Sequence, residues 1–133
     1  MILVDTNIII SFWRKRDKGI EAIFRNEDVA LCGVVKAELM HGAKNPEDME
    51  RIKCVLASFP CLDMGKKDWD ELGRNLYLLR AHGITVPFQD VVIATVALAN
   101  DAQVWTEDVH FALMQAVLTK LKLFVEKAYL CKE

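Results

Sequence analysis

Apolar and polar positions alternate along this chain in two rhythms. Short apolar runs of strand length stand at residues 1–4, 29–32, 61–64, 103–105 and 121–125. Between them the apolar positions recur at helical spacing. Ile8 to Phe12 predict a short helix, and Ile20, Ile23 and Phe24 mark one face of a second. Residues 34–42 predict a third, closed by Gly42. Asn45-Pro46-Glu47 then punctuates the chain, with proline suited to a first helical turn. Ile52, Val55, Leu56 and Phe59 define an amphipathic helix stopped by Pro60. Trp69, Leu72, Leu76 and Leu79 define another, ending near His82-Gly83. Val91 to Ala99 is apolar almost all round, which predicts a buried helix. Residues 108–118 predict the last helix, before a final strand at 121–125. Short apolar strands separated by helices predict an α/β fold, with a mainly parallel sheet of about five strands between helical layers.

Composition narrows this picture. No repeat, low-complexity tract or linker divides the 133 residues, so the expectation is one domain over 1–133. The apolar runs are interrupted before they could span a bilayer, and the chain opens directly on a strand, the expectation for a cytoplasmic protein without a signal peptide. Cys32, Cys54, Cys61 and Cys131 have neither the paired spacing nor the histidine companions of a zinc site, so reduced thiols are expected. A formal charge of −2 gives no global attraction to nucleic acid. Any such binding needs a local basic rim. The densest basic segment is Arg14-Lys15-Arg16-Asp17-Lys18, beside Trp13, which could stack on a base; such a run is more often a solvated helix end.

The candidate chemistry lies in acids at unusual places. Asp5 ends the first apolar strand, and Asp108 follows the strand at 103–105. Asp90 stands at the entrance of the most apolar helix. Glu38 has Val34 and Val35 four and three positions before it, so it emerges from an apolar stripe. Each has an ordinary account by itself: Asp5, Asp90 and Asp108 as helix caps or favourable charges at helix starts, Glu38 as a boundary residue. Glu107 competes with Asp108 and is expected to point away. Taken as a set, they fall at junctions that a parallel sheet gathers along one edge. Acids gathered there repel one another unless a hard divalent cation neutralises them. Such a pocket, without a nucleophilic triad, points to metal-assisted phosphodiester hydrolysis.

At these positions the chain resembles the PIN-domain nucleases, most closely the VapC-type toxins of toxin–antitoxin pairs. The matching pieces are Val4-Asp5-Thr6-Asn7, then Lys36-Ala37-Glu38-Leu39-Met40-His41-Gly42-Ala43, then Pro87-Phe88-Gln89-Asp90-Val91-Val92-Ile93-Ala94, and finally Trp105-Thr106-Glu107-Asp108-Val109-His110-Phe111. Any one of these motifs is weak, but their order and spacing span nearly the whole chain. The resemblance implies a PIN-like three-layer fold and an endoribonuclease of a type II system. It implies that Asp5, Glu38, Asp90 and Asp108 hold one or two Mg²⁺ or Mn²⁺ ions, with Thr6 and Asn7 orienting Asp5 and Thr106 supporting the fourth acid. It also implies RNA as substrate, a cognate VapB-like antitoxin as partner, and a homodimer.

Two departures from the family pattern are Thr95, where small apolar residues are usual, and His41, where an aromatic is common. Neither removes an acid. His41, His82 and His110 read as packing or helix-end residues and receive no catalytic role. The alternative function is a non-catalytic PIN-like module binding RNA or protein, which has no use for clustered acids. A structure-specific DNA nuclease is a third reading, but 133 residues leave little room for elements that hold duplex ends.

Overall fold

The computed structural model describes residues 1–131. Its sheet has strands β1 (Ile2–Val4), β2 (Val29–Cys32), β3 (Cys61–Leu62), β4 (Gln103–Trp105) and β5 (Lys122–Leu123), in the order β3-β2-β1-β4-β5. Every pairing is parallel. The helices are α1 (Thr6–Lys15), α2 (Lys18–Asn26), α3 (Gly33–His41), α4 (Pro46–Leu56), α5 (Lys66–Ala81), α6 (Phe88–Ala99), α7 (His110–Met114) and α8 (Glu126–Leu130). A parallel sheet needs a crossover between neighbouring strands, and the helices supply these crossovers. The three central strands are almost wholly buried, as parallel strands covered on both faces are. Leu3, Val4, Ala30, Leu31, Val104 and Trp105 are each no more than 1% exposed and form the middle of the core.

The sequence of windings matters for function. From β1 the sheet grows outward to β2 and β3, and then resumes on the other side with β4 and β5. The direction therefore reverses between β1 and β4, and open α/β sheets leave a crevice at that reversal, beyond the carboxyl ends of the strands. Asp5 N donates to Trp105 O at 2.9 Å, carrying the β1–β4 ladder one residue past the end of β1.

Several elements differ from their expected bounds. Helix α1 begins before Ile8 because Asp5 caps it, accepting from Thr6 N, and it ends where Arg16 turns left-handed at φ 50°. Gly33 opens α3 directly, with no turn after β2. The helix expected at 108–118 is only α7. Its start is delayed because the Asp108 carboxylate and the Thr106 hydroxyl take the N–H groups of His110 and Asp108. Its end comes where the Gln115 amide donates to Leu121 O and folds the chain toward β5. The strand expected at 121–125 is shortened to β5, after which Phe124 packs edge-on against Trp105 at 5.2 Å. Helix α8 was not foreseen. Trp69 and Val55, expected on core faces, are 57% and 40% exposed, while Leu72, Leu79, Ile52 and Leu56 are buried as read.

Helix α6 carries the clearest match between pattern and structure: Val91 through Ala97 are all buried. Its contact with α5 is reinforced inside the core, where Asn75 donates to the Thr95 hydroxyl at 3.0 Å and Thr95 donates to Val91 O at 2.8 Å. Thr95, unusual by family pattern, is thus one half of a buried polar pair.

Candidate metal centre

Asp5 is 5% exposed, and its carboxylate is the centre of a hydrogen-bond cluster. One oxygen accepts from Thr6 N at 2.8 Å, the bond of a helix cap. The other accepts from the Thr106 hydroxyl at 2.7 Å and from Asn7 Nδ2 at 3.3 Å. The helix cap and the contacts with Thr106 and Asn7 use different carboxylate oxygens. Asn7 also donates to Thr106 Oγ1 at 3.3 Å and accepts from Glu107 N at 3.2 Å, tying the start of α1 to the turn after β4. That turn holds Glu107 outward, exposed, and Asp108 partly buried.

The remaining acids approach from neighbouring elements. Glu38 projects from α3, the helix that follows β2, and Asp90 lies in the first turn of α6. Burial is the main cause holding the Asp5 carboxyl above the ordinary carboxylate range. Bonds from Thr106 and Thr6 oppose this, and the charges of Asp90 and Asp108 add to it. Glu38 is raised by desolvation and then by the Asp5 and Asp90 charges. Asp90 is raised by burial and by Asp108, with its His110 bond pulling the other way. The charges of Asp90 and Asp108 thus reach Asp5, that of Asp108 reaches Asp90, and those of Asp5 and Asp90 reach Glu38. The Thr6 side chain opposes the rise at Glu38, and its hydroxyl is buried.

One member of the cluster was missed. His110, read as a packing residue, sets Nδ1 at 2.8 Å from Asp90 Oδ2 and 2.9 Å from Asp108 Oδ1. Those contacts, the Asp90 bond foremost, raise its pKa. The signal lay in its position two residues after Asp108, since a residue just past an acid at a helix start is folded back toward it. His41 is exposed at the end of α3, and His82 bonds Leu78 O through Nδ1 at the end of α5, as a helix-end residue does. The basic segment is also relocated. Residues 14–18 are exposed but end α1, about 15 Å of helix from Asp5, and Trp13 is half-buried against the core.

A parallel sheet with acids crowded at its strand-order reversal defines a class of α/β proteins that carry ionic chemistry on one sheet edge. Within that class the PIN domain profile matches residues 2–116, and the chain belongs to the PIN domain family. It is 24% identical over 115 residues to Ribonuclease VapC2 of Rickettsia felis, covering 80% of this chain and 86% of that protein. Among solved structures, VapBC-1 from nontypeable Haemophilus influenzae superposes with a TM-score of 0.80 at 24% identity, over 96% of this chain and 99% of that one. VapBC2 from Rickettsia felis, bound to a DNA fragment from its promoter, superposes with a TM-score of 0.78 at 22% identity, over 93% and 98% of the two chains.

Proposed function

We propose that this chain is a divalent-metal-dependent endoribonuclease, the toxin component of a VapBC-like toxin–antitoxin pair acting in the cytoplasm. The observation that carries the reading is the gathering of Asp5, Glu38 and Asp90, whose carboxyl pKa values desolvation and neighbouring acidic charge raise, beside Asp108. A protein gains nothing from that arrangement unless a cation offsets it. The oxygen-rich donor set suits Mg²⁺ or Mn²⁺.

Asp5, Asp90 and Asp108 would hold the ion, with Glu38 at the rim. When bound, the ion supplies Lewis acidity toward a phosphodiester and toward an attacking water. Thr106 and Asn7 keep the Asp5 carboxylate in one orientation, and the Asp5 cap on α1 fixes its backbone. The name of the Rickettsia felis relative supports RNA as substrate, and the solved toxin–antitoxin pairs support an antitoxin partner. Exposed Trp69 and Tyr77 on α5 and Phe88 on α6 offer apolar area for a homodimer. Among the described residues no helix is long and apolar enough to cross a membrane.

The purified chain is expected to cleave RNA with Mg²⁺ or Mn²⁺ and to stop with EDTA. Asp5→Asn and Asp90→Asn are expected to lower the rate by at least about a hundredfold while circular dichroism stays native. Full activity in either variant, or in EDTA, overturns the reading. Matched DNA cleaved faster than RNA favours the DNA nuclease instead.

A further inference from the structure

Among the described residues, one group of three metal-ligating side chains has ligand atoms all within 4.8 Å of one another: Asp90, Asp108 and His110. The first two are the acids already discussed. The third is a nitrogen, and its placement is specific. Nδ1 of His110 faces the acids, at 2.8 Å from Asp90 Oδ2 and 2.9 Å from Asp108 Oδ1. Ligand atoms on neighbouring corners of an octahedron with bonds of about 2.0–2.1 Å lie about 3 Å apart. The two distances therefore match the spacing of donors around a single ion.

The imidazole is also held in place by the local fold. His110 N donates to Asp108 Oδ1 at 3.0 Å, so the same carboxylate fixes the histidine backbone and meets its ring. The following residue, Phe111, is fully buried and anchors α7 to the core. The histidine side chain remains 33% exposed.

We propose that His110 Nδ1 ligates the divalent ion beside Asp90 and Asp108, and that this nitrogen biases the centre toward a first-row transition ion over Mg²⁺. The inference rests on the metal-dependent reading above and adds to it a ligand of different chemistry. Mg²⁺ takes oxygen donors and keeps much of its water, whereas imidazole suits transition ions. A centre of carboxylates alone has no such bias from its ligand types. His110 converts an all-oxygen set into a mixed one.

The alternative role is that of a positioning residue, in which Nδ1–H is shared between the two carboxylates and never touches the ion. The two roles separate in the full chain loaded with Mn²⁺ and read by pulsed electron paramagnetic resonance. The spectrum is expected to show ¹⁴N coupling from a directly bound imidazole, and His110→Gln is expected to remove it. Calorimetry is expected to show Mn²⁺ affinity falling about ten- to a hundredfold in His110→Gln, and Mg²⁺ affinity by less than about threefold. Bound Mn²⁺ without nitrogen coupling in the unmodified protein overturns the proposal and leaves the metal-dependent function standing. Equal losses of Mn²⁺ and Mg²⁺ affinity in a folded variant also overturn it, and assign His110 to positioning. No Mn²⁺ binding at millimolar concentration overturns both readings together. The spectrum of the unmodified protein decides the matter even if the variant fails to fold.

Discussion

The Thr106 hydroxyl donates to Asp5 Oδ2 at 2.7 Å, accepts from Asp108 N at 2.9 Å and accepts from Asn7 Nδ2 at 3.3 Å. A hydroxyl has one proton to give and two lone pairs, so all of its capacity is used. It connects Asp5, the Asn7 side chain and the backbone of Asp108. The family resemblance implied that Thr106 supports the fourth acid, and its hydroxyl does accept from Asp108 N. It also pairs with the Asp5 carboxylate, 101 positions away, a pairing that only the β1–β4 register creates. Thr106→Val keeps the shape and deletes the donor and both acceptor sites. It is expected to lower Mn²⁺ affinity by about ten- to a hundredfold in calorimetry, while Thr106→Ser restores most of it. Equal affinities in the valine variant and the unmodified protein would show that the hydroxyl does not organise Asp5.

At the scale of elements, the contact between α5 and α6 carries a polar lock within an otherwise apolar interface. Asn75 is 7% exposed and Thr95 1%, so neither can exchange its partner for water. Thr95→Val leaves the Asn75 amide without its partner, a loss of about 1–3 kcal/mol. Thermal unfolding is expected to show it as a fall of roughly 3–9 °C. The pair Asn75→Leu with Thr95→Val removes both polar groups and is expected to recover more than half of that fall. A double variant as unstable as the sum of its parts would mean that volume, not hydrogen bonding, governs the site. The example also shows why some of this fold could be read in advance and some could not. Helical periodicity located α6 to within a few residues, because burial on all sides leaves a signature in every position. It could not pair Thr95 with Asn75, which stands on another helix. The same limit applies to α7, where side chains of Thr106 and Asp108 compete for backbone N–H groups and postpone the helix. Strand-to-acid junctions, by contrast, are local in sequence, so the acids of the sheet edge were visible before the sheet was known.

For the molecule as a whole, the acidic edge sets stability against function, and pH changes the balance. Asp5, Glu38 and Asp90 all have folded pKa values raised above their ordinary ones, so between the ordinary and the raised value the folded state binds more protons than the unfolded chain. Stability from these groups therefore falls as pH rises through that window and is regained on acidification. His110 acts in the same direction. Its pKa is also raised, so its contribution is complete below the ordinary histidine value and is lost as pH rises through the folded one. Asp48 and Asp101 oppose the trend, but their pKa values are lowered, which confines their losses to more acidic solution. The metal-free protein is accordingly expected to melt at a higher temperature at about pH 5 than at about pH 8. If a divalent ion binds these acids as proposed, it is expected to reverse this slope, because it takes the deprotonated ligands and adds its own binding free energy, about 2.7 kcal/mol at a hundred times its dissociation constant. Its stabilising effect is expected to be largest at the alkaline end and to shrink on acidification. Glu38→Gln removes one repelling charge, so the metal-free variant is expected to melt higher than the parent near neutral pH while gaining less from Mn²⁺. Melting curves across pH, with EDTA and with Mn²⁺, measure both slopes in one series. Parallel curves with a constant metal increment would contradict the account, since they would mean that the ion binds away from the groups whose charge the fold suppresses.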